Sequence, residues 1–286
     1  MLRPIICVLF VAAAQAESFT TGPLEIVAEG FQFTEGPVWM PNGELLFTDI
    51  PKDTIFRADK TVFRNPSNKS NGLILDLEGR LVACEHWNRR VSRTEKGGTV
   101  KSIAETYNGK KFNSPNDACV RNDGTIFFTD PLYGLEGREK EQPCMGVYAI
   151  MPDGTVKLLV SDFKGPNGTD LSPDQKTLYV NDSEADEVRA FDVADDATLS
   201  NGRVICRIAS PDGMAIDEKG NIWTTGEGAV YVLSPKGDAI HAIKVPKTPA
   251  NCAFGDADFK TLYITARDTV YKQRCAVAGQ KPGAGK

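Results

Sequence analysis

The sequence predicts an all-β protein with a six-bladed β-propeller fold, and three observations support this prediction. Six segments share one layout, their spacing matches the length of a propeller blade, and no long segment after the N-terminus has helical periodicity. A two-sheet sandwich is the alternative all-β fold, but it does not explain six copies of one pattern.

Each repeat begins with a polar residue that opens a short apolar strand. A turn that usually contains Gly follows, and then comes a second strand rich in β-branched and aromatic residues. The opening residues are separated by 36, 45, 51, 45 and 39 positions, close to the length of a four-stranded blade. In chain order they are Glu35, Asn71, Asn116, Asn167, Asp212 and Asn251.

Further strands are predicted after these pairs, for example at Thr54–Arg57, Gly146–Ile150 and Ala229–Leu233. To close the ring, residues 26–28 or residues 269–272 could complete a blade shared by the two ends of the chain. Such a shared blade would remove an exposed sheet edge.

The N-terminal segment has the pattern of a secretory signal peptide. Arg3 precedes a short apolar run, and Ala14-Gln15-Ala16 is an Ala-x-Ala cleavage site. We therefore predict a signal peptide over residues 1–16 and a secreted or periplasmic protein, since the run is too short to span a bilayer. Residues 17–277 would form the propeller, and the Gly-, Pro- and Lys-rich residues 278–286 a disordered tail.

Composition and cysteine spacing bear on the partners that the protein can have. A net charge of −5 gives no reason to expect a nucleic acid, and no membrane partner is expected once the signal peptide is cleaved. The six cysteines that follow it include no Cys-x-x-Cys pair, so a thiolate zinc site is not expected. Disulfides and buried free thiols are both open for these residues.

The opening residues are predicted to bind a divalent cation. The innermost strand of each blade lines the central channel of a propeller, so the six opening residues should form one ring at one mouth of that channel. Two carboxylates and four carboxamides are the oxygen ligands that hard cations prefer. Ca²⁺ is the preferred ion, with Mg²⁺, Mn²⁺ and Zn²⁺ as alternatives. Each Asn could instead be a plain turn residue, but all of them share one phase of the repeat.

Five short motifs fall at or next to these opening residues. They are Glu-Gly-Pro-Val-Trp at 35–39, Asn-Ser-Pro-Asn-Asp at 113–117, Phe-Thr-Asp-Pro-Leu-Tyr-Gly-Leu at 128–135, Gly-Pro-Asn-Gly at 165–168 and Pro-Asp-Gly-Met at 211–214. Together they resemble the gluconolactonase and regucalcin (senescence marker protein) family, and the second and third resemble microbial gluconolactonases in particular. This family shares its fold with the squid-type fluorophosphatases and, more distantly, with the paraoxonases.

The resemblance implies a hydrolase that opens sugar lactones such as gluconolactone, which are small-molecule substrates. It also implies that Glu35, Asn167 and Asp212 ligate the metal and that Asn116 contacts the metal or the substrate. Regucalcin has an Arg two residues before the equivalent of Asn116, and Ser114 stands there in this chain. This departure leaves the sugar preference open.

Asp212 and His86 are the predicted catalytic residues, which would assist the attack of water on the lactone carbonyl. His86 follows the second strand of the second repeat, so it could lie at the same mouth as Asn71, a predicted substrate contact. A histidine titrates near neutral pH and can transfer protons. The alternative is a histidine that only orders a loop.

Three other functions stay open on the same fold. The metal site could hydrolyse phosphotriesters or fluorophosphates, or the propeller could be a non-catalytic binding protein with a structural calcium. A condensing enzyme like strictosidine synthase has less support, because a ring of carboxamides favours metal binding. No nucleophile elbow or Ser-His-Asp order is visible in the sequence, which disfavours a covalent acyl-enzyme.

Overall fold

The computed structural model describes residues 18–281, which fold as an all-β protein. Six four-stranded antiparallel sheets form the blades of a six-bladed β-propeller, which confirms the predicted fold. The predicted signal peptide lies outside the described residues. Within residues 18–281, no helix has the length and apolar character needed to cross a membrane.

The chain begins with β1 (Thr20–Glu29), which belongs to the last blade. From the channel outward, the first blade contains β2 (Thr34–Trp39), β3 (Leu45–Asp49), β4 (Thr54–Arg57) and β5 (Val62–Arg64). The second blade contains β6 (Ser70–Leu75), β7 (Leu81–Glu85), β8 (Arg90–Thr94) and β9 (Val100–Ala104). A small hairpin follows, formed by β10 (Thr106–Tyr107) and β11 (Lys110–Lys111).

The remaining blades repeat this order. The third contains β12 (Ala118–Val120), β13 (Ile126–Asp130), β14 (Gly146–Ile150) and β15 (Val156–Val160), with a 3₁₀ helix at Tyr133–Leu135 between β13 and β14. The fourth contains β16 (Pro166–Leu171), β17 (Thr177–Asp182), β18 (Glu187–Val193) and β19 (Leu199–Arg207). The fifth contains β20 (Met214–Ile216), β21 (Ile222–Gly226), β22 (Ala229–Leu233) and β23 (Ala239–Lys244). The sixth contains β24 (Asn251–Gly255), β25 (Thr261–Ala266) and β26 (Thr269–Cys275), followed by β1.

Both ends of the chain contribute to the sixth blade. β1 pairs antiparallel with β26, so that Ile26 lies opposite Tyr271 and Glu29 opposite Thr269. Both segments proposed for ring closure are therefore used, the N-terminal one as the outermost strand. Because the backbone hydrogen bonds of this pair join the two ends of the chain, they close the ring and hold the channel mouths in a fixed shape.

Apolar side chains fill the space between neighbouring blades. Between the second and third blades, Cys84 and Val91 pack with Phe112, Phe128 and Tyr148. The rings of Phe128 and Tyr148 stack with centroids 5.3 Å apart. Burial of one such side chain stabilises the fold by about 1.5–3 kcal/mol. Since the core lies between blades, the channel ends of the inner strands are left to polar side chains.

The cysteines form no disulfide within the described part of the chain. All six are free thiols, and four of them are buried, namely Cys84, Cys119, Cys252 and Cys275. Burial raises the pKa of the Cys84, Cys119 and Cys252 thiols well above the ordinary value. These residues therefore act as small apolar side chains of the core.

The start of the predicted disordered tail lies against the fifth and sixth blades. The amide of Glu218 donates to the Ala278 carbonyl at 2.9 Å, and the amide of Gln280 donates to the Ile216 carbonyl at 2.9 Å. These bonds give residues 278–281 a defined position at one end of the channel. Residues 282–286 lie outside the described part, and the domain limits otherwise stay predictions.

Candidate active site

A cavity of about 340 Å³ opens at one mouth of the central channel. Five of the six opening residues line it, and so does the predicted catalytic histidine. These residues are Glu35, Asn71, His86, Asn116, Asn167 and Asp212. The structure thus brings together the predicted ligands, substrate contacts and catalytic groups except Asn251, while their roles stay predictions.

Asn251 is the exception, and its predicted place in this ring is wrong. It lines a second cavity further along the channel, and its Oδ1 accepts a 2.8 Å hydrogen bond from the Cys252 amide. The amides of Gly168 and Gly213 donate to the carbonyls of Asp212 and Ala250 at 2.9 and 2.7 Å, so Ala250 occupies the opening position of the sixth blade. Asn251 lies one residue later, and because side chains alternate along a strand, its side chain lies towards the second cavity.

The Gly that follows four of the opening residues has a packing role in the channel wall. A Cβ at Gly36 would lie 2.1 Å from the Asn71 carbonyl oxygen, and one at Gly168 would lie 2.3 Å from the Asp212 carbonyl oxygen. The Gly168 amide donates to that same Asp212 oxygen at 2.9 Å. Gly therefore lets each blade approach the backbone of the next opening residue. This contact, more than a turn, explains the repeated polar-Gly pair.

Three buried aspartates hold the segments that lead into Glu35, Asn116 and Asn167. Each ends the second strand of its blade and accepts hydrogen bonds from the amides three and two residues before the opening residue, with N···O distances between 2.8 and 3.2 Å. These aspartates are Asp49, Asp130 and Asp182. The other blades have Glu85, Gly226 and Ala266 at the corresponding strand end. Three of the four candidate metal ligands therefore follow a segment held by a buried carboxylate.

Burial dominates the electrostatics of the two carboxyl groups in the cavity. Glu35 is 2% exposed, and burial, with repulsion from Asp212, raises its pKa well above the ordinary value. Burial and the charge of Asp117 raise the pKa of Asp212 to about 7. The Gly36 amide donates to Glu35 Oε2 at 2.7 Å, but no backbone amide within residues 18–281 donates to the Asp212 carboxylate. A cation bound between the two carboxyl groups would lower their pKa values and so displace their protons.

Two carboxamides line the same cavity and can supply neutral oxygens. Asn116 is 3% exposed, and its side chain has no hydrogen-bond partner in the described part of the chain. Asn167 donates through Nδ2 to Ser183 Oγ at 3.0 Å and lies within hydrogen-bonding reach of Asp212. Together with Glu35 and Asp212, they form a mixed set of charged and neutral oxygen donors.

His86 is buried beside Asn71 and beneath Gly134. Its Nε2 lies 3.5 Å from Asn71 Nδ2, and burial lowers its pKa to about 4. The imidazole is therefore neutral at neutral pH. A Cβ at Gly134 would lie 2.2 Å from His86 Cγ, so the loop after β13 packs directly on the ring. His86 thus lines the cavity and supports a loop at the same time.

Ser114 has a structural role in this chain. It is fully buried, its Oγ donates to the Pro131 carbonyl at 2.7 Å, and the same Oγ accepts from the Gly134 amide at 3.0 Å. These bonds hold the loop after β13 over the cavity, where Tyr133 and Glu136 line the wall. The loop therefore forms part of the cavity wall, which Ser114 itself does not line.

Nine lining residues were not selected from the sequence, and four of them lie on two loops that follow the second strand of a blade. Tyr133 and Glu136 follow β13, and Ser183 and Glu184 follow β17. One signal was available: each pair comes shortly after an aspartate that ends the second strand of its blade. Whether a loop reaches the channel mouth depends on the path of its backbone, which no residue pattern in the sequence specifies.

A second cavity, of about 150 Å³, lies towards the other end of the channel. Asp117 and Asp170 line it among apolar side chains, and Gln280 and Lys281 of the tail lie at its edge. Burial raises the pKa of both aspartates to about 7. Asp170 also follows the bulge between β16 and β17, so it both faces the channel and flanks a bulge.

Comparison with known proteins places this site in a family. Residues 33–268 match the family model described as SMP-30/Gluconolactonase/LRE-like region. The chain is 32% identical to a gluconolactonase of Zymomonas mobilis, over 90% of this chain and 82% of that protein. It is 30% identical to regucalcin of Oryctolagus cuniculus, over 85% of this chain and 86% of that protein. A solved gluconolactonase of Xanthomonas campestris matches with a TM-score of 0.85 at 30% identity, covering 92% of each chain.

With these relatives, the propeller and its polar cavity define a lactonase, a carboxylic ester hydrolase that acts on a small-molecule substrate. The chain belongs to the SMP-30/gluconolactonase/LRE-like family, as its sequence motifs implied.

Proposed function

We propose that the protein opens sugar lactones such as gluconolactone and that a divalent cation, with Ca²⁺ preferred, assists the reaction. The observation that carries this proposal is the convergence of Glu35 and Asp212 with the carboxamides of Asn116 and Asn167 in one cavity. The gluconolactonase relatives support the substrate, and the donor set supports the cation.

The residues present fit a hard cation. Within residues 18–281, no group of three or more His, Cys, Asp or Glu side chains is arranged to hold a metal ion. A cation at the cavity would therefore need neutral oxygens beside the two carboxylates, and Asn116 and Asn167 can provide them. Ca²⁺ accepts such mixed sets of carboxylates, amide oxygens and waters, whereas Zn²⁺ prefers His and Cys. When bound, the cation would polarise the lactone carbonyl.

His86 is the better candidate for the base that receives a proton from the attacking water. Asn71 Nδ2 is a donor, so its contact with His86 Nε2 favours the tautomer in which Nε2 is the acceptor and Nδ1 holds the hydrogen. In this neutral tautomer Nε2 is the nitrogen that accepts a proton, and the long contact with Asn71 must give way to the attacking water. Water adds to the carbonyl carbon, the ring C–O bond breaks, and the ring oxygen takes up a proton to become the hydroxyl of the product acid. Asp212 is the alternative base, if it is free of a cation.

The cavity suits a neutral, polyhydroxylated substrate. Besides Glu35 and Asp212, Glu136 and Glu184 line its wall, and none of the lining residues in the described part of the chain is Lys or Arg. Carboxylates accept hydrogen bonds from sugar hydroxyls and repel anionic groups. We therefore expect an uncharged sugar lactone to bind better than a phosphorylated one.

The enzyme should also be exported, because the signal-peptide pattern at residues 1–16 predicts a secreted or periplasmic protein. Mass spectrometry of exported protein should find Glu17 as the first residue. An intact N-terminus would contradict this expectation and leave the proposed lactonase reaction unaffected.

A substrate and metal panel tests the proposed function. Protein stripped with EDTA is assayed on gluconolactone, on an unsubstituted aliphatic δ-lactone and on a phosphotriester, before and after addition of Ca²⁺, Mg²⁺, Mn²⁺ or Zn²⁺. We expect chelation to abolish hydrolysis, Ca²⁺ to restore it, and the sugar lactone to be preferred. Full activity without metal would contradict the cation, preference for the phosphotriester would favour the alternative hydrolase, and no turnover with any substrate would favour a binding protein.

A further inference from the structure

We propose that Ser183 is a positioning residue that orients the carboxamide of Asn167 so that its oxygen is available as a metal ligand. The inference rests on the cation site proposed above. Ser183 lies directly after β17 in the fourth blade and lines the cavity. The sequence analysis had not assigned it any role.

The hydrogen bonds of Ser183 leave only one orientation for the Asn167 amide. Ser183 Oγ lies 2.5 Å from the Pro211 carbonyl oxygen, which can only accept, so the single hydroxyl hydrogen points there. The same Oγ can then only accept from Asn167, whose Nδ2 lies 3.0 Å away. With Nδ2 facing Ser183, Oδ1 must face the other way, where it is free to bind a cation.

Ser183 is itself held firmly between two blades. Its amide donates to the Gly165 carbonyl at 2.9 Å, and the preceding Asp182 accepts from the amides of Lys164 and Gly165 at 3.0 and 2.8 Å. The serine is thus fixed to the segment that leads into Asn167. Its hydroxyl reaches the residue before Asp212, so one side chain ties a ligand of the fourth blade to a ligand of the fifth.

Asn181, on β17, also contacts the segment around Asp212. Asn181 lies two positions before Ser183, on the same side of the strand, and its Nδ2 donates to the Asp212 carbonyl at 2.6 Å. Asn181 therefore holds the backbone of Asp212, whereas Ser183 determines which end of the Asn167 amide meets the cation. The wrong amide orientation would present N–H groups to a positive ion, which is repulsive.

The test is a double-mutant cycle read out as Ca²⁺ affinity by calorimetry. Ser183→Ala should weaken binding by roughly 10- to 100-fold, the usual range for loss of a group that orients a metal ligand. Ser183→Thr keeps the hydroxyl and should restore binding. In Asn167→Asp, both side-chain oxygens are equivalent and no N–H remains, so adding Ser183→Ala to it should have little further effect. Ser172→Ala, in the same blade but bonded to Asp174 at 2.6 Å, is the matched control and should bind like the wild type.

Two results would overturn the inference: wild-type affinity in Ser183→Ala, or an equal loss of affinity when Ser183→Ala is made in the wild type and in the Asn167→Asp variant. A second measurement keeps the inference separate from the proposed function. In metal-free protein, the side-chain amide protons of Asn167 should exchange slowly by NMR in the wild type and in Ser183→Thr, and faster in Ser183→Ala. If the wild type bound no divalent cation, the proposed function would fail, while equal exchange in all variants would refute the role of Ser183.

Discussion

At the far end of the channel, Asp117 is buried and Asp170 half-buried, and backbone amides donate hydrogen bonds to both carboxyl groups. Asp170 accepts from the amides of Leu171 and Ile216 at 2.8 and 3.1 Å, and Asp117 accepts from its neighbour Ala118 at 3.0 Å. At the other end, Asp212 is half-buried, as Asp170 is, and has a similarly raised pKa of about 7, but no backbone amide within the described residues donates to it. The carboxyl groups at the two ends therefore have similarly raised pKa values, but only those at the far end accept hydrogen bonds from backbone amides.

We infer that this difference separates the far-end aspartates, which serve the fold, from Asp212, which serves the proposed site. A buried carboxylate needs hydrogen bonds or a positive charge to be stable. The far-end aspartates have such hydrogen bonds inside the fold, beside a cavity with mainly apolar walls. The Asp212 carboxylate lines the larger cavity, where no backbone amide of the described residues donates a hydrogen bond to it. This difference supports the proposal that a cation from solution binds at this end.

Loss of charge at the functional end should have the largest effect. Glu35→Gln keeps the shape of the side chain but removes one of the two carboxylates, so we expect Ca²⁺ affinity to fall by at least roughly 100-fold. The rate of lactone hydrolysis should fall with it at any fixed Ca²⁺ concentration. Calorimetry and kcat/KM on gluconolactone check this, with the melting temperature as the control for folding. Wild-type metal affinity in this variant would show that Glu35 is not a ligand.

Removal of the imidazole should lower the rate without removing the metal. His86→Ala should reduce kcat by roughly 100-fold if the residue transfers protons, and Ca²⁺ affinity should stay nearly the same. His241→Ala is the matched control, since this other histidine lies on the outer strand β23 and stacks on Phe19. A small change in kcat together with a lower melting temperature would indicate that His86 only supports the loop that packs on it.

The sequence predicted the fold and the phase of the site well, for physical reasons. A propeller repeats one pattern of strands and turns. Residues at the same position of the repeat therefore reach the same level of the channel, as Glu35, Asn167 and Asp212 do. Asn251 failed this rule because it lies one residue past the opening position of its blade, which Ala250 occupies. Tyr133 and Ser183 were missed because they lie on loops, whose path across the mouth depends on contacts such as the Ser114 hydroxyl bonds rather than on periodicity.

Acid should weaken metal binding at the functional end. The pKa of Asp212 is raised from 3.8 to about 7 in the folded protein, so below about pH 7 a cation must displace a proton. Affinity should fall by up to about tenfold per pH unit for each proton displaced. Because the folded state alone holds that proton, the free energy of unfolding of metal-free protein should decrease as pH rises from about 4 to 7. Calorimetry and denaturant titration across this range check both trends, and an affinity independent of pH would contradict the raised pKa.

A change at the far end should affect stability but not function. In Gly279→Ala the new Cβ would lie 2.1 Å from Phe254 Cγ, so the tail must shift. We expect a loss of about 1–3 kcal/mol in the free energy of unfolding, as for other overpacked sites. Metal affinity and kcat/KM should match the wild type. Loss of lactonase activity in this folded variant would mean that the two ends of the channel are coupled.

The comparison of Asp212→Asn with Asp170→Asn tests the central claim most directly. Each variant removes one half-buried carboxyl group whose pKa is raised to about 7, one from each end of the channel. Ca²⁺ affinity, measured by calorimetry on both proteins, should fall by at least roughly 100-fold in Asp212→Asn and stay close to the wild type in Asp170→Asn. Wild-type affinity in Asp212→Asn, or an equal loss in the two variants, would contradict the assignment of the metal site to the mouth lined by Glu35, Asn116, Asn167 and Asp212.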